Sequence, residues 1–319
     1  MIILNGTNVI AIDIGGTKTL VAIVRLEDGA ILQRALGATD TTSPEAFVAG
    51  VKKLVQELLS AKKYRPEAIG IGTAGHVNPE NGHLTSLNLG LDELPIRAIL
   101  SDFTGLPVFV DNDANVGAIG EMYYGAAKGK RHFAFLSVGT GIGVGLVLNG
   151  TLYHGKQNNA GEIGHMGVSI HGDKCKCGGS GCLENLASGP GLVRLFKEGL
   201  RRGHHSDLQS DEILPYDMFA AAEKNKDPLS IKVIADAAKA LGYGVRNLNN
   251  LLDLELVVVG GGIALAAPSF FMEQLNISAL GGSNRVNPST YSIVLSNRYP
   301  DSIILGAARL VEFSHRKAE

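Results

Sequence analysis

The cysteines of this chain lie together, in Cys175-Lys-Cys177-Gly-Gly-Ser-Gly-Cys182, and His165 and His171 precede them. Three thiolates with one imidazole fit a closed tetrahedral zinc site, and the glycines allow the backbone to fold tightly around it. The alternative is a disulfide with one spare thiol. A chain of 319 residues needs no covalent staple, so we predict a structural Zn²⁺. Spacing alone leaves the fourth ligand open between the two histidines.

Two carboxylates, Glu162 and Glu184, flank this cysteine cluster. A closed metal site holds shape, so the zinc is expected to position these side chains for a ligand. The alternative is that both are solvated surface residues.

A second group of polar residues, Asp111-Asn112-Asp113-Ala114-Asn115, follows an apolar strand at 106–110 and precedes a helical segment. Ligand sites of α/β proteins collect at such strand ends. Simple helix capping by Asn112 or Asp113 is an equally good interpretation. Two carboxylates and two amides are more polar groups than a helix cap needs. A hydroxyl-rich ligand would use the others, with Asn112 orienting a hydroxyl and Asp113 accepting its proton.

Asp13 closes the apolar strand 9–14, and Gly15-Gly16-Thr17-Lys18 leads into a return strand at 19–24. Residues 132–149 repeat this plan around Gly139-Thr140-Gly141, which indicates two similar lobes. Such turns expose N–H groups that could hold polyphosphate, with Thr17, Lys18 and Thr140 as added donors and Asp13 serving magnesium. The alternative is that the glycines are present only because the tight turns require them sterically, and that the polar residues are ordinary exposed turn residues.

Other nucleotide motifs fit less well. The P-loop pattern does not occur. Gly70-Ile-Gly72-Thr-Ala-Gly75 matches the dinucleotide fingerprint, but turn residues rather than a helix follow it, which argues against a nicotinamide or flavin site.

Strands and helices alternate along the chain as in an α/β protein. Ser43-Pro44 is predicted to cap a helix, and another is predicted to start near Asp227-Pro228 with Ile231, Ile234, Ala238, Leu241, Val245 and Leu248 buried. Further helices are predicted at 95–103, 114–124 and 301–313, and strands at 67–73, 106–111, 132–138, 144–148 and 256–259. We predict a small lobe at 1–121, completed by a C-terminal helix at 301–319, and a large lobe at 122–300.

The formal charge is −2, from 29 basic and 31 acidic residues, so no global attraction to nucleic acid or membrane is expected. Met1-Ile2-Ile3-Leu4 turns polar at Asn5, and no apolar run approaches the length of a membrane helix. We therefore expect no signal peptide and a cytoplasmic protein.

Taken together, the motifs resemble the sugar kinases of the ROK (repressor, open reading frame, kinase) family, which have the actin and hexokinase superfold. The resemblance spans essentially the whole chain. It rests on these segments: Asp13-Ile-Gly-Gly-Thr-Lys18, Asn112-Asp113-Ala-Asn115 with Gly120-Glu121, Gly139-Thr-Gly141, Ala160-Gly161-Glu162-Ile-Gly164-His165, the cysteine cluster with Glu184, and Val259-Gly-Gly-Gly262.

This resemblance implies an actin/hexokinase-like (ribonuclease H-like) α/β fold with duplicated mixed-sheet cores and an active-site cleft between two lobes. It selects His165 as the fourth zinc ligand, beside Cys175, Cys177 and Cys182. Asp113 would be the general base on a hexose O6, and Gly75, Asn112, Glu162, His165 and Glu184 would contact the sugar. The remaining implied contacts are with MgATP, from Asp13, Gly15, Gly16, Thr17, Lys18, Gly139, Thr140, Gly141, Gly261 and Gly262.

Substrate identity is less well defined. Glucose-specific members often carry a Pro- and Trp-containing stretch where this chain has Ser86-Leu-Asn88-Leu-Gly90, and the chain contains no tryptophan. Thr73-Ala-Gly75-His76 also resembles N-acetylmannosamine kinases, so His76 and Asn88 could discriminate at C2, or His76 could be an ordinary turn residue. An N-acetylhexosamine kinase is therefore the alternative to a glucokinase.

The family also includes sugar-responsive repressors, which carry an extra amino-terminal helix-turn-helix. This chain reaches its first glycine hairpin by residue 13 and keeps Asp113, so we expect a kinase rather than a repressor or a non-catalytic sugar-binding protein. The resemblance further implies a homodimer or homotetramer.

Overall fold

The structure is a computed structural model that describes residues 7–78, 80–208, 212–281 and 291–313. Met1 to Asn5, on which the expectation of no signal peptide rests, and the end of the predicted C-terminal segment, 314–319, lie outside the described residues. Contacts group the chain into two compact units. Unit 1 comprises Met1–Lys130, Gly145–Ala160 and Ser296–Glu319, and unit 2 comprises Arg131–Val144 and Gly161–Leu295.

Thirteen strands and ten α-helices occur in the described part of the chain. The strands are β1 (Asn8–Ile14), β2 (Lys18–Arg25), β3 (Ala30–Ala38), β4 (Pro66–Thr73), β5 (His76–Val77), β6 (Leu84–Ser86), β7 (Leu91–Leu94), β8 (Val108–Asn112), β9 (Phe133–Val138), β10 (Ile142–Leu148), β11 (Thr151–Leu152), β12 (Leu256–Gly260) and β13 (Ser292–Leu295). The helices are α1 (Pro44–Ser60), α2 (Ile96–Thr104), α3 (Asp113–Tyr124), α4 (Leu183–Ala187), α5 (Gly189–Arg201), α6 (Pro215–Ala220), α7 (Pro228–Leu252), α8 (Gly262–Ala266), α9 (Ser269–Leu280) and α10 (Asp301–Phe313).

The first sheet has the order β3-β2-β1-β4-β8. Its first three strands form an antiparallel meander, and β4 and β8 join parallel to β1. Helix α1 covers this sheet with an apolar face, on which Phe47, Val51 and Leu58 are almost fully buried, and Ser43 caps its first turn as predicted. Parallel pairing brings the carboxyl ends of β1, β4 and β8 to one edge, where Asp13 and Asn112 lie.

Helix α10 packs so closely against β4 and α3 that its backbone contacts theirs at glycine positions. A Cβ on Gly70 would lie 1.7 Å from the Ala307 carbonyl oxygen, and one on Gly306 would lie 1.8 Å from that of Val116. Beside this crossing the fully buried Glu121 accepts hydrogen bonds from the Ser302 hydroxyl (2.8 Å) and the Ala126 N–H (2.9 Å). The Gly120-Glu121 motif therefore joins α3 to the start of α10.

The second five-stranded sheet has the order β11-β10-β9-β12-β13. A glycine hairpin again opens the sheet, and β12 and β13 follow parallel to β9. The two sheets thus repeat one plan, a hairpin-led meander extended by two parallel strands. The duplicated mixed-sheet α/β fold that the sequence predicts is confirmed.

The predicted lobe boundary at residue 121/122 stays a prediction, because contact-defined units are not functional lobes. Contacts group 145–160, which the prediction placed in the large lobe, with unit 1. The buried face of α7 is broader than predicted. Val233, Ala237 and Asn249 are buried, whereas Ile231 and Leu248 are only half-buried at its edge.

Within the described residues, no helix combines the length and the apolar composition that crossing a membrane requires.

Candidate functional site

Asp113 is the first residue of α3, directly after β8, and lies half-buried at the carboxyl edge of the first sheet. Asn112 caps the helix by accepting the Ala114 N–H (2.9 Å), and its amide also donates to the Gly75 carbonyl at 3.1 Å. Gly75 has φ +126°, and a Cβ there would lie 2.7 Å from the Thr85 carbonyl oxygen. Asn112 therefore caps the helix as one interpretation predicted, and its side-chain amide also connects the start of α3 to the Gly75 turn, which is predicted to contact the sugar.

Asp111 is buried immediately before this turn. One of its oxygens accepts the Asn112 N–H (2.7 Å) and the Asn115 amide (2.9 Å), while the other lies 2.6 Å from Nε2 of His154. Sequence reasoning missed His154, because nothing in its local sequence connects it with a residue 43 positions earlier.

His76 lies on β5 of the small antiparallel sheet β5-β6-β7, Asn88 lies in the turn between β6 and β7, and both are exposed. Strand β5 follows Gly75 directly, so a strand rather than a helix comes after these glycines. Asn158, also missed from the sequence, is buried and donates to the Val77 carbonyl at 2.8 Å. It fastens the His76 turn to the loop that follows β11.

Asp13 lies at the end of β1, and the first hairpin turn follows it. Gly16, Thr17 and Lys18 are exposed, and a Cβ on Gly16 would meet no atom within 4 Å, so its backbone faces open space. Burial raises the pKa of Asp13 to about 7, repulsion from Asp113 adds to this, and Lys18 opposes it. The two carboxylates are close enough to repel, and a cation between them would relieve that repulsion.

Asp13→Asn is expected to stabilise the protein in the absence of nucleotide, increasingly so as pH rises. The unfolded carboxyl ionises near pH 4 and the folded one near 7, so wild-type folding takes up a proton between these values and loses stability as pH rises through them. The upper limit is about 4 kcal/mol, and because Asp13 is partly exposed we expect roughly 1–3 kcal/mol. Urea unfolding at pH 4 and pH 8 measures the difference. An equal effect at both pH values would contradict this pKa assignment.

His165, Cys175, Cys177 and Cys182 converge in unit 2, with their ligand atoms all within 4.8 Å of one another. Nδ1 of His165 lies 3.7 Å from the Cys175 sulfur, and the sulfurs of Cys177 and Cys182 lie 3.6 Å apart. Ligand atoms around a tetrahedral zinc are separated by roughly 3.5–3.8 Å. The cysteines are free, and His171 lies outside the group, so these four residues form the Cys3His donor set of a structural zinc site.

Glycines build the loop that carries these ligands. Gly181 has φ +68°, and a Cβ there would lie 1.8 Å from the Ser169 carbonyl oxygen. Burial raises the pKa of the Cys182 thiol to about 12, whereas a backbone hydrogen bond from Gly179 lowers that of Cys177. A metal would therefore bind in place of a proton on Cys182.

Glu162 and Glu184 of unit 2 differ in exposure and in hydrogen-bond partners. Glu162 is exposed, and one of its oxygens lies 3.9 Å from Nε2 of His165, the nitrogen opposite the one that faces the sulfurs. Glu184 is half-buried and accepts the Ile142 N–H at 3.0 Å. It therefore links the cysteine cluster to the second glycine hairpin, a contact that the sequence did not predict.

The second hairpin, Gly139-Thr140-Gly141, is closed by a bond from the Gly139 N–H to the Gly141 carbonyl (2.9 Å). Gly261 follows β12 with φ +94°, and a Cβ there would lie 2.2 Å from the Val138 carbonyl oxygen. Gly262 begins α8. The hairpin and the Gly261-Gly262 turn thus lie at the ends of neighbouring strands of one sheet, β9, β10 and β12.

Unit 1 therefore collects Asp13, Gly75, Asn112 and Asp113, whereas the zinc-type cluster, Glu184 and the second hairpin belong to unit 2.

Comparison with known proteins defines the class of protein to which this site belongs. The sequence model of the ROK family matches residues 9–313. A glucokinase from Halalkalibacterium halodurans is 33% identical, covering 81% of each chain, and an N-acetylmannosamine kinase from Vibrio cholerae is 33% identical, covering 94% of this chain and 97% of its own. A putative xylose repressor from Caldicellulosiruptor is 30% identical over 84% of this chain and 68% of its own.

Solved structures agree. A ROK hexokinase from Thermus thermophilus superposes with a TM-score of 0.84, at 30% identity over 98% of this chain and all of its own. A ROK glucokinase from Streptomyces griseus, in complex with glucose and AMPPNP, gives 0.82 at 30% identity over 95% and 98%. The chain belongs to the ROK family.

Proposed function

We propose that this protein transfers the γ-phosphoryl group of ATP to O6 of a hexose, with glucose as the first candidate. The observation that carries the proposal is the position of Asp113, a half-buried carboxylate at the carboxyl edge of the first sheet and next to the Asn112–Gly75 contact. Kinase relatives of similar length support it, and the Streptomyces griseus relative binds glucose and an ATP analogue.

Asp113 would accept the proton of the attacking hydroxyl. In phosphoryl transfer the loose transition state demands little from a base beyond alignment, so precise placement of the carboxylate matters most. Asn112 and the Gly75 backbone would hold neighbouring hydroxyls, and Glu162, His165 and Glu184 are the proposed sugar contacts of unit 2.

Each glycine hairpin would offer N–H groups to phosphate oxygens. In unit 1 these N–H groups would come from Gly15 to Lys18, and in unit 2 from Gly139 to Gly141. Gly261 and Gly262, also in unit 2, would pack against adenine. Asp13 fits a magnesium ion held through water, because its carboxyl is repelled by Asp113. Bound magnesium would neutralise charge on the phosphate oxygens.

The proposed zinc is structural. It would fix the loop that carries Glu162 and the start of α4, which carries Glu184, and thereby set two sugar contacts at once. His165 suits a double role, since Nδ1 faces the sulfurs while Nε2 faces Glu162.

An N-acetylhexosamine is the alternative substrate. His76, which follows Gly75 on β5, and Asn88, in the turn between β6 and β7, are exposed polar side chains that could meet a substituent at C2. An N-acetylmannosamine kinase is among the relatives. A non-catalytic sugar-responsive regulator is a further alternative, because a repressor is also among them.

Coupled ADP release with MgATP separates these possibilities. The panel contains glucose, mannose, fructose, N-acetylglucosamine and N-acetylmannosamine. Turnover highest with glucose supports the main proposal, whereas preference for an acetylated sugar shifts it to the alternative. A protein that binds a sugar in calorimetry but turns over none of them would support the regulator.

Glu184→Gln is expected to raise the sugar KM about tenfold, because a neutral amide replaces a charged hydrogen-bond acceptor, while the ATP KM changes less than about twofold. Steady-state kinetics measures both, with Glu223→Gln, an exposed carboxylate of unit 2, as control. An unchanged sugar KM would remove Glu184 from the sugar site.

The two-lobe division at residue 121/122, a homodimeric or homotetrameric assembly and a cytoplasmic location complete the proposal. Sedimentation at micromolar concentration tests the assembly, and a monomer would contradict it.

A further inference from the structure

His154 and Asp111 form a shielded pair next to the proposed acceptor site. Nε2 of His154 lies 2.6 Å from the Asp111 carboxylate, and only 15% and 8% of the two side chains are exposed. With the Asn112 N–H and the Asn115 amide, the carboxylate has three hydrogen-bond partners. A hydrogen on Nε2 of His154 would make this contact a donation from the imidazole to the carboxylate oxygen.

Two of the three hydrogen-bond partners of Asp111 belong to the segment that carries Asp113. The Asn112 N–H donates to Asp111, and the Asn112 side chain caps α3 and donates to the Gly75 carbonyl. Asn115, which also donates to Asp111, lies in the first turn of the same helix. His154 follows β11 by two residues, and the β10–β11 hairpin before it is fixed close to this turn, since a Cβ on Gly145 would lie 2.2 Å from the Ala114 carbonyl oxygen. The neighbouring Tyr153 N–H also donates to the Leu146 carbonyl of β10 at 2.8 Å. The imidazole therefore approaches Asp111 from a rigid neighbour.

We propose that His154 is a positioning residue for phosphoryl transfer, which holds Asp111 so that the Asn112–Asp113 turn keeps the orientation needed to align the acceptor hydroxyl. This rests on the proposed function. Without the imidazole one Asp111 oxygen would lose its partner in a buried place, and the carboxylate would rotate or take up water. The turn would loosen, and small misplacements of a reacting group are costly in rate.

His154→Ala is expected to lower kcat about 10- to 100-fold while the ATP KM stays within about twofold. His154→Gln places an amide N–H near the former Nε2 and is expected to restore kcat to within about threefold of wild type. His205→Ala, which removes an exposed histidine 4.0 Å from Asp207 in unit 2, is the control and should match wild type. Should His154→Ala fail to fold, His154→Leu, which fills the space without a donor, replaces it.

Hydrogen exchange supplies a readout that needs no kinase activity. Backbone amides at 112–115 are expected to exchange at least about tenfold faster in His154→Ala than in wild type, and at near wild-type rates in His154→Gln. Unchanged exchange, or equal kcat losses in the alanine and glutamine variants, would overturn the inference. If the wild-type protein phosphorylates no sugar, the proposed function falls, and the exchange rates still decide whether His154 orders this turn.

Discussion

Replacing Asp113 by asparagine is expected to lower kcat for the preferred sugar by about 1,000-fold. The carboxylate is proposed to align the attacking hydroxyl through a charge-assisted hydrogen bond and to take its proton, whereas an amide of the same shape aligns the hydroxyl more weakly and takes no proton. Because Asn112 supplies the cap of α3, the turn itself should survive the change. Sugar and ATP affinities are therefore expected to stay within about threefold, so that the loss is confined to the chemical step.

Single-turnover kinetics with calorimetric binding of sugar and nucleotide separates these quantities. Asp92→Asn, which changes an exposed carboxylate of the same unit in the same way, is the matched control. Full turnover by Asp113→Asn would remove Asp113 as the base.

Disrupting the cysteine cluster gives the second large expected effect. Cys177→Ser, or removal of the metal by a chelator, is expected to raise the sugar KM about 10- to 100-fold, because the loops that carry Glu162, His165 and Glu184 lose their clamp. The ATP KM should rise less than about threefold. Elemental analysis is expected to find one zinc per chain in wild type and much less in the variant.

Ser180→Ala, an exposed change within the same loop, is the control and should keep both zinc and affinity. Thermal unfolding and circular dichroism distinguish a local from a global effect. Equal losses of sugar and ATP affinity, with a collapse of the melting transition, would indicate unfolding and contradict a role specific to the sugar site.

Much of this fold could be predicted from local sequence. Asp13 and the glycines after it lie between two apolar strands whose pattern defines a hairpin, and the repeat near Gly139 signals the second sheet. Ser43-Pro44 and Asp227-Pro228 start helices where their capping chemistry places them. The cysteine spacing by itself predicts the cluster, because chelation or cross-linking is what explains three thiols so close together in sequence.

The remaining contacts depend on tertiary packing. His154 meets Asp111, and Asn158 meets Val77, across 43 and 81 positions, and neither side chain has a neighbour in sequence that reveals its partner. Glu184 was predicted to face a sugar, but its bond to the Ile142 N–H becomes visible only when α4 and β10 are both placed. The helix-cap and ligand interpretations of Asn112 were likewise inseparable in sequence, and the structure shows the cap and the Gly75 contact in one side chain.

The most direct test of the central claim is the chemical identity of the product. Phosphorus–proton correlated NMR on a reaction of wild-type protein with MgATP and the best sugar of the panel locates the new ester. The account predicts one sugar phosphate, esterified at O6 in an amount equal to the ADP formed, and almost none with Asp113→Asn. Release of inorganic phosphate without a sugar ester, or an ester at another oxygen, would contradict it.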